Sequence, residues 1–151
     1  MNIGNFIVIS LSTFFYIGYL PFIPGTFGSI AGLFLFYLIK ESKFTFILTL
    51  LLLILGFLVA GRAEKIFNKK DAKFIVIDEV SGMFLSLAFI PYDIRLAIAA
   101  FVLFRIFDTL KPYPIDRLQA LKGSMGIMSD DIVAGLYTNI VLQFVLRGLS
   151  K

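Results

Sequence analysis

The sequence predicts an all-α polytopic membrane bundle of about five or six apolar helices, some of them re-entrant or half-spanning. Three observations carry this expectation. Hydrophobic residues make up 59% of the 151 and charged residues only 16%, with a mean hydropathy of +0.94, far from the soluble globular norm. Residues 1–39 hold no charged side chain, and neither do residues 44–61. Backbone groups in lipid must be satisfied internally, which favours helices over open sheet. The length is that of one domain, 1–151.

Taken in order, Met1-Asn2-Ile3-Gly4-Asn5 lacks a basic n-region and no cleavage site follows, so the first apolar stretch is expected to remain in the mature protein. That stretch predicts a helix near 5–20. Pro21-Phe22-Ile23-Pro24-Gly25 interrupts it, because proline removes a backbone donor and fixes φ. A second helix near 28–40 is short for a span and open to being re-entrant. Phe44–Gly61, uncharged and rich in Leu, Ile and Phe, is the clearest transmembrane segment. Three further helices are expected near 74–90, 94–110 and 131–148. Each is short or charged near one end, so burial against protein is expected to replace full lipid exposure.

If all six segments cross, the connections 21–27, 62–73 and 111–130 share one side. That side carries Arg62, Lys65, Lys69, Lys70, Lys73, Lys111, Arg117 and Lys122, against Lys40, Lys43, Arg95, Arg147 and Lys151 opposite. The positive-inside bias makes the first side cytoplasmic. The connection Arg62–Lys73 (RAEKIFNKKDAK) reads as a positive-inside loop, or as one that rests on anionic headgroups and gathers an anionic lipid.

Composition also excludes chemistry. With no histidine and no cysteine, the chain lacks disulfides, thiolate or imidazole nucleophiles, histidine bases and the usual zinc or haem ligands. The net charge of +4 is small and no basic run is interleaved with aromatics, so no nucleic-acid partner is expected. Nothing in the sequence sets an oligomeric state.

Against this background five of the ten acidic residues stand within or beside apolar segments: Asp78, Glu79, Asp108, Asp130 and Asp131. Such carboxylates are costly to keep near lipid and are functional candidates. Together, without softer ligands, they suit a hard cation, magnesium above all. Each has a plainer reading. Asp78-Glu79 near a helix start favours the dipole, and Asp130-Asp131 after Ser129 suits an N-cap. Asp108 falls near a helix C-terminus, where it opposes the dipole, and Arg105 one turn earlier can pair with it.

Lys111, held before Pro112, is either a snorkelling interfacial lysine or a cation for a phosphate. Pro24-Gly25-Thr26-Phe27-Gly28-Ser29 opens the second helix, where free N–H groups can receive phosphate oxygens. A plain turn followed by small-residue helix packing explains it equally, with Gly28 and Gly32 at packing spacing. Thr26, Ser29, Arg105 and Lys111 are the candidate substrate-binding residues.

Pro24–Ser29, Asp78-Glu79-Val80-Ser81-Gly82, Phe104-Arg105-Ile106-Phe107-Asp108 with Lys111-Pro112, and Gly126–Asp131 with Ala134-Gly135 together resemble the phosphatidylglycerophosphatase A family in order and spacing, over roughly residues 20–140. The resemblance implies a magnesium-dependent lipid phosphatase of the bacterial inner membrane, acting on the anionic phospholipid phosphatidylglycerophosphate; the basic-residue asymmetry is what puts all five carboxylates, and so the active site, at the cytoplasmic face. The resemblance places Asp78, Glu79, Asp108, Asp130 and Asp131 in the active region; their role as metal ligands is inferred from their chemistry. Two rivals stand beside it. Intramembrane carboxylates also line ion pathways in non-enzymatic ion-binding or transport subunits, although there they are spread through membrane depth. CDP-alcohol phosphatidyltransferases also use carboxylates and metal, but their Asp-Gly-x-x-Ala-Arg start is absent.

Overall fold

The computed structural model describes residues 2–39 and 42–149. Among them are seven α-helices and no strand: α1 (Ile3–Ser12), α2 (Pro24–Leu38), α3 (Ser42–Phe67), α4 (Ile77–Ser86), α5 (Ile94–Leu110), α6 (Ile115–Gln119) and α7 (Ser124–Leu149). The expected all-α class holds. Among the described residues only α3 is both long and apolar enough to cross a membrane, over Phe44–Phe67. Lys40 and Lys151, counted in the charge asymmetry, lie outside the described residues.

The first helix is shorter than its apolar stretch suggests. The Ser12 and Thr13 hydroxyls both donate to the Ile9 carbonyl, offering the backbone a local alternative to continued helix. Phe14, Phe15 and Tyr16 then adopt φ of 45°, 53° and 70°, and the chain turns into a 3-10 segment, Ile17–Tyr19. At its start α1 borders Arg62, Lys65 and Ile66 of α3 through Asn2, Asn5 and Val8. At its finish, the Ser12 carbonyl accepts from the Val76 N–H, just before α4. Both ends of α1 therefore meet the same end of the bundle. Ten residues give about 15 Å of helix, half a hydrocarbon core.

Pro24 occupies the first position of α2, where its missing N–H costs nothing. The Pro-Gly stretch thus belongs to the helix instead of preceding it. α3 runs on to Phe67 and absorbs Arg62–Phe67 from the expected loop. Ala72–Val76 stays non-helical, so α4 is only ten residues, and eight of these are buried. Its far end is closed by α7: Asn139 Nδ2 donates to the Ser86 and Ala88 carbonyls at 3.2 and 2.7 Å. Gln143 Nε2 reaches the Phe89 carbonyl at 3.4 Å. These side chains answer carbonyls that the helix itself leaves unpaired.

α5 starts at an Asp93 cap that accepts the Arg95 N–H at 2.7 Å, and matches its expected bounds. It ends on Lys111 in the left-handed region, φ 46°, followed by Pro112, a common helix stop. α6 had no counterpart in the sequence reading. α7 begins at Ser124, seven residues before the expected start at 131.

α4 sits at the centre, packed mainly on α7, α2 and α3. Phe84, Phe104, Met83, Met128 and Ile77 fill the space around it without solvent exposure. Close approach to α7 requires glycine on both sides. A Cβ at Gly135 would stand 2.6 Å from the Gly82 carbonyl oxygen, and one at Gly82 would stand 2.8 Å from that of Asp131.

Candidate active site

One end of the bundle gathers the starts of α2, α4 and α7 with the end of α5. Ile77 opens α4, so Asp78 and Glu79 fall in its first turn, where the helix dipole favours negative charge. Neither caps the helix by a side-chain hydrogen bond. Asp130 and Asp131 are the seventh and eighth residues of α7. The N-cap reading therefore fails for this pair, which lies one full turn inside a helix that starts at Ser124.

Carboxylate oxygens of Asp78, Glu79 and Asp131 lie within 4.8 Å of one another. Asp78 and Asp131 are 6% and 3% exposed, deep enough that unmet charge is expensive. Four of the oxygens here, Asp78 Oδ1, Glu79 Oε2, Asp130 Oδ1 and Asp131 Oδ1, are buried without a protein hydrogen-bond partner. Native structures rarely leave such groups unanswered, so these call for a ligand. Three convergent hard oxygens fit a divalent cation such as magnesium.

Asp108 and Asp130 carry a different set of contacts. Arg105 Nη1 stands 2.7 Å from Asp108 Oδ2, one turn apart on α5. Lys111 Nζ stands 2.7 Å from Asp130 Oδ2 and 3.7 Å from Asp108 Oδ1. The left-handed turn at Lys111 brings its side chain back over the end of α5, where Asp108 opposes the dipole. Asp108 is also an electrostatic neighbour of Asp131, so the ion-paired carboxylates adjoin the unpaired ones. Burial disfavours the Lys111 ammonium, but the hydrogen bond it donates to Asp130 and the charges of Asp130, Asp108 and Asp131 outweigh it and hold its pKa above the ordinary lysine value.

α2 covers this group. Arg105 Nη1 reaches Ser29 Oγ at 3.5 Å, while that hydroxyl donates to the Gly25 carbonyl at 3.0 Å. An added Cβ on Gly25 would run into the Glu79 carboxylate, with Arg105 Nη1 next at 3.5 Å. Glycine is thus what lets α2 close over Glu79. Thr26 lies in the same first turn, half-buried. All nine sequence candidates fall on or beside this end. Sequence reasoning missed the Gly82–Gly135 contact that sets the α4–α7 spacing. Its signal was present as small residues inside apolar helices.

A family model described as phosphatidylglycerophosphatase A matches residues 10–146. The chain is 39% identical to the phosphatidylglycerophosphatase A of Haemophilus influenzae, over 79% of this chain and 76% of that protein. It is 36% identical to that of Escherichia coli K12, over 85% of this chain and 77% of the relative. A Bacteroides thetaiotaomicron protein named "Putative phosphatidylinositol-3-phosphatase" is 34% identical over 94% of this chain and 95% of its own length. No solved structure matches. With all but the outermost residues covered by the family model and the acidic motifs gathered at one site, the chain belongs to the phosphatidylglycerophosphatase A family.

Proposed function

We propose that this chain is a multi-pass lipid phosphatase of the bacterial inner membrane that hydrolyses phosphatidylglycerophosphate to phosphatidylglycerol and phosphate. The observation that carries the reading is the group Asp78, Glu79 and Asp131, each with a buried, unpartnered oxygen, flanked by the cations Arg105 and Lys111. Phosphate monoesters resist hydrolysis so strongly that enhancements of up to about 10²¹-fold are needed, and concentrated charge is the economical source. Grouping of the acids at one bundle end favours this over an ion pathway, which would distribute them through depth.

Asp78, Glu79 and Asp131 would hold magnesium. When bound, it supplies Lewis-acid polarisation of the phosphate oxygens and eases deprotonation of the attacking water. Arg105, set by Asp108 and Ser29, presents its guanidinium to the non-bridging oxygens. Lys111 adds a point charge from the α5 end. A free carboxylate oxygen in the cluster accepts the proton that water loses as its oxygen bonds to phosphorus. The glycerol oxygen leaves with the electrons of the broken P–O bond and takes the proton held on that carboxylate, which gives the alcohol and resets the base. Thr26 and Ser29 line the approach from α2. The acyl chains stay in the bilayer while the headgroup enters from the cytoplasmic face.

The Bacteroides relative's name supports a second substrate reading, a 3-phosphate on an inositol lipid, through the same chemistry. Phosphate release by the purified chain from both lipids, side by side, decides between them. Faster release from phosphatidylglycerophosphate is expected. Preference for the inositol lipid would reassign the substrate, and release from neither would sink the phosphatase reading.

A further inference from the structure

A second polar feature lies apart from the carboxylates. The end of α3 and the segment entering α7 enclose an open cleft of about 400 Å³ whose lining includes Lys65, Lys69, Lys70 and Lys122. No site residue lines it. Among the described residues none of the four ammonium groups is in an ion pair. The one acid in the lining, Glu64, accepts the Asp71 N–H at 3.0 Å and so braces the turn. Four positive charges therefore face one negative one.

The cleft is built from fixed parts. The Gly61 N–H donates to Ser124 Oγ at 2.8 Å, tying α3 to the start of α7. Gln119 of α6 donates to Asp71 Oδ2 at 3.2 Å. Asn68 and Asp71 turn the chain at φ of 47° and 48°. At Gly123, φ +63°, an added Cβ would meet nothing within 4 Å, so the wall there is open.

The surroundings indicate the kind of anion. Leu51, Ile54 and Leu58 form an exposed apolar stripe on α3, 56%, 57% and 59% accessible. Lys65 follows Leu58 by seven residues, two helical turns, and so continues the same line. On the other wall Leu121 and Met125, both exposed, flank Lys122. A lysine cluster at the end of an exposed apolar stripe on a membrane-grade helix sits where phospholipid headgroups lie.

We propose that this cleft binds the phosphate headgroup of an anionic phospholipid of the bilayer, at a site separate from the carboxylate cluster, with the acyl chains along the α3 stripe. The inference rests on α3 as a membrane span and is independent of the phosphatase reading. The test is native mass spectrometry of the full chain in neutral detergent, titrated with phosphatidylglycerol or phosphatidylcholine. Wild type should retain the anionic lipid at least about tenfold better than the zwitterionic one. Changing Lys65, Lys69, Lys70 and Lys122 together to Gln should remove that preference, while Arg at the four positions should keep it. The single Lys122→Gln should weaken retention several-fold, which guards against a fourfold variant that does not fold. Unchanged preference in the Gln variants overturns the proposal. Displacement of the lipid by equimolar inorganic phosphate also overturns it, by assigning the cleft to a free anion. Because the readout is binding, it stands whether or not the chain releases phosphate.

Discussion

Lys111 Nζ stands 2.7 Å from Asp130 Oδ2, a contact that ties the end of α5 to the second turn of α7. With Arg105 on Asp108, it divides five carboxylates into two that carry cations and three that do not. The division assigns work: the paired acids aim cations, and the unpaired acids are left for a ligand.

Lys111→Gln should raise KM for the lipid substrate more than it lowers kcat, because a phosphate is held in both ground and transition states. Stability should fall by about 1–3 kcal/mol, since Asp130 is left buried without its partner. The sign with pH follows from the raised Lys111 pKa. With Asp130 ionised, the pair's contribution is fully present below the ordinary lysine value of 10.5 and is lost as pH rises through the higher folded value. Thermal unfolding of wild type and variant should therefore differ at neutral pH and converge in strong alkali.

Removal of divalent cations should abolish turnover, and magnesium should restore it. Four buried carboxylate oxygens without protein partners motivate this expectation. The measurement is phosphate release after EDTA treatment and gel filtration, followed by magnesium titration. Full activity in metal-free protein would remove the metal from the mechanism.

Asp131→Asn and Asp108→Asn should each reduce kcat by orders of magnitude, with Asp108→Asn also lowering the melting temperature because Arg105 loses its counter-charge. For Asp131 a small rise is expected, because the change relieves like-charge crowding against Asp78 and Glu79. Sites optimised for function commonly hold such destabilising charge. Near-normal turnover in both variants would return these acids to a structural role.

The sequence made the site legible and parts of the fold illegible, for separable reasons. Carboxylates in apolar surroundings are costly wherever the helices begin and end, so the acids stood out without any boundary being right. Boundaries depend on local competition that hydropathy does not register. Ser12 and Thr13 are compatible with an apolar helix on paper, yet their hydroxyls draw the Ile9 carbonyl and the chain turns. The start of α7 was hidden by Ser129-Asp130-Asp131, which reads as a cap but sits inside the helix. α4 is short because Asn139 and Gln143, distant in sequence, receive its end. No local pattern announces that.

Gly135→Ala should destabilise the fold by about 1–3 kcal/mol, because the new methyl meets backbone and α4 must shift. Activity should fall with it, since Asp78 and Glu79 ride on α4 and Asp131 on α7. Gly148→Ala, where an added Cβ meets nothing within 4 Å, is the matched control. Equal melting temperatures for the two variants would show that α4 and α7 are not in close register.

Asp78, Asp108 and Asp130 should share the cytoplasmic face. The basic-residue asymmetry of the sequence motivates this, and the bundle geometry adds to it. α1 has both ends near the α3 C-terminus and the start of α4, and an α1 that does not cross would leave the later segments on their expected sides. At the opposite end, the Tyr92 hydroxyl donates to the Tyr37 carbonyl at 3.0 Å, joining the α4–α5 connection to the finish of α2. The chain has no cysteine, so single cysteines at Asn68, Gln119 and Asp93 give a clean labelling test with an impermeant reagent. Positions 68 and 119 should react only in inverted vesicles or opened cells, and position 93 only from outside. Reaction of all three from one side would make the bundle an interfacial body with α3 not a simple span, while a common site would survive. Labelling of 68 and 119 from opposite sides would be fatal, because carboxylates on opposite faces cannot act on one phosphate.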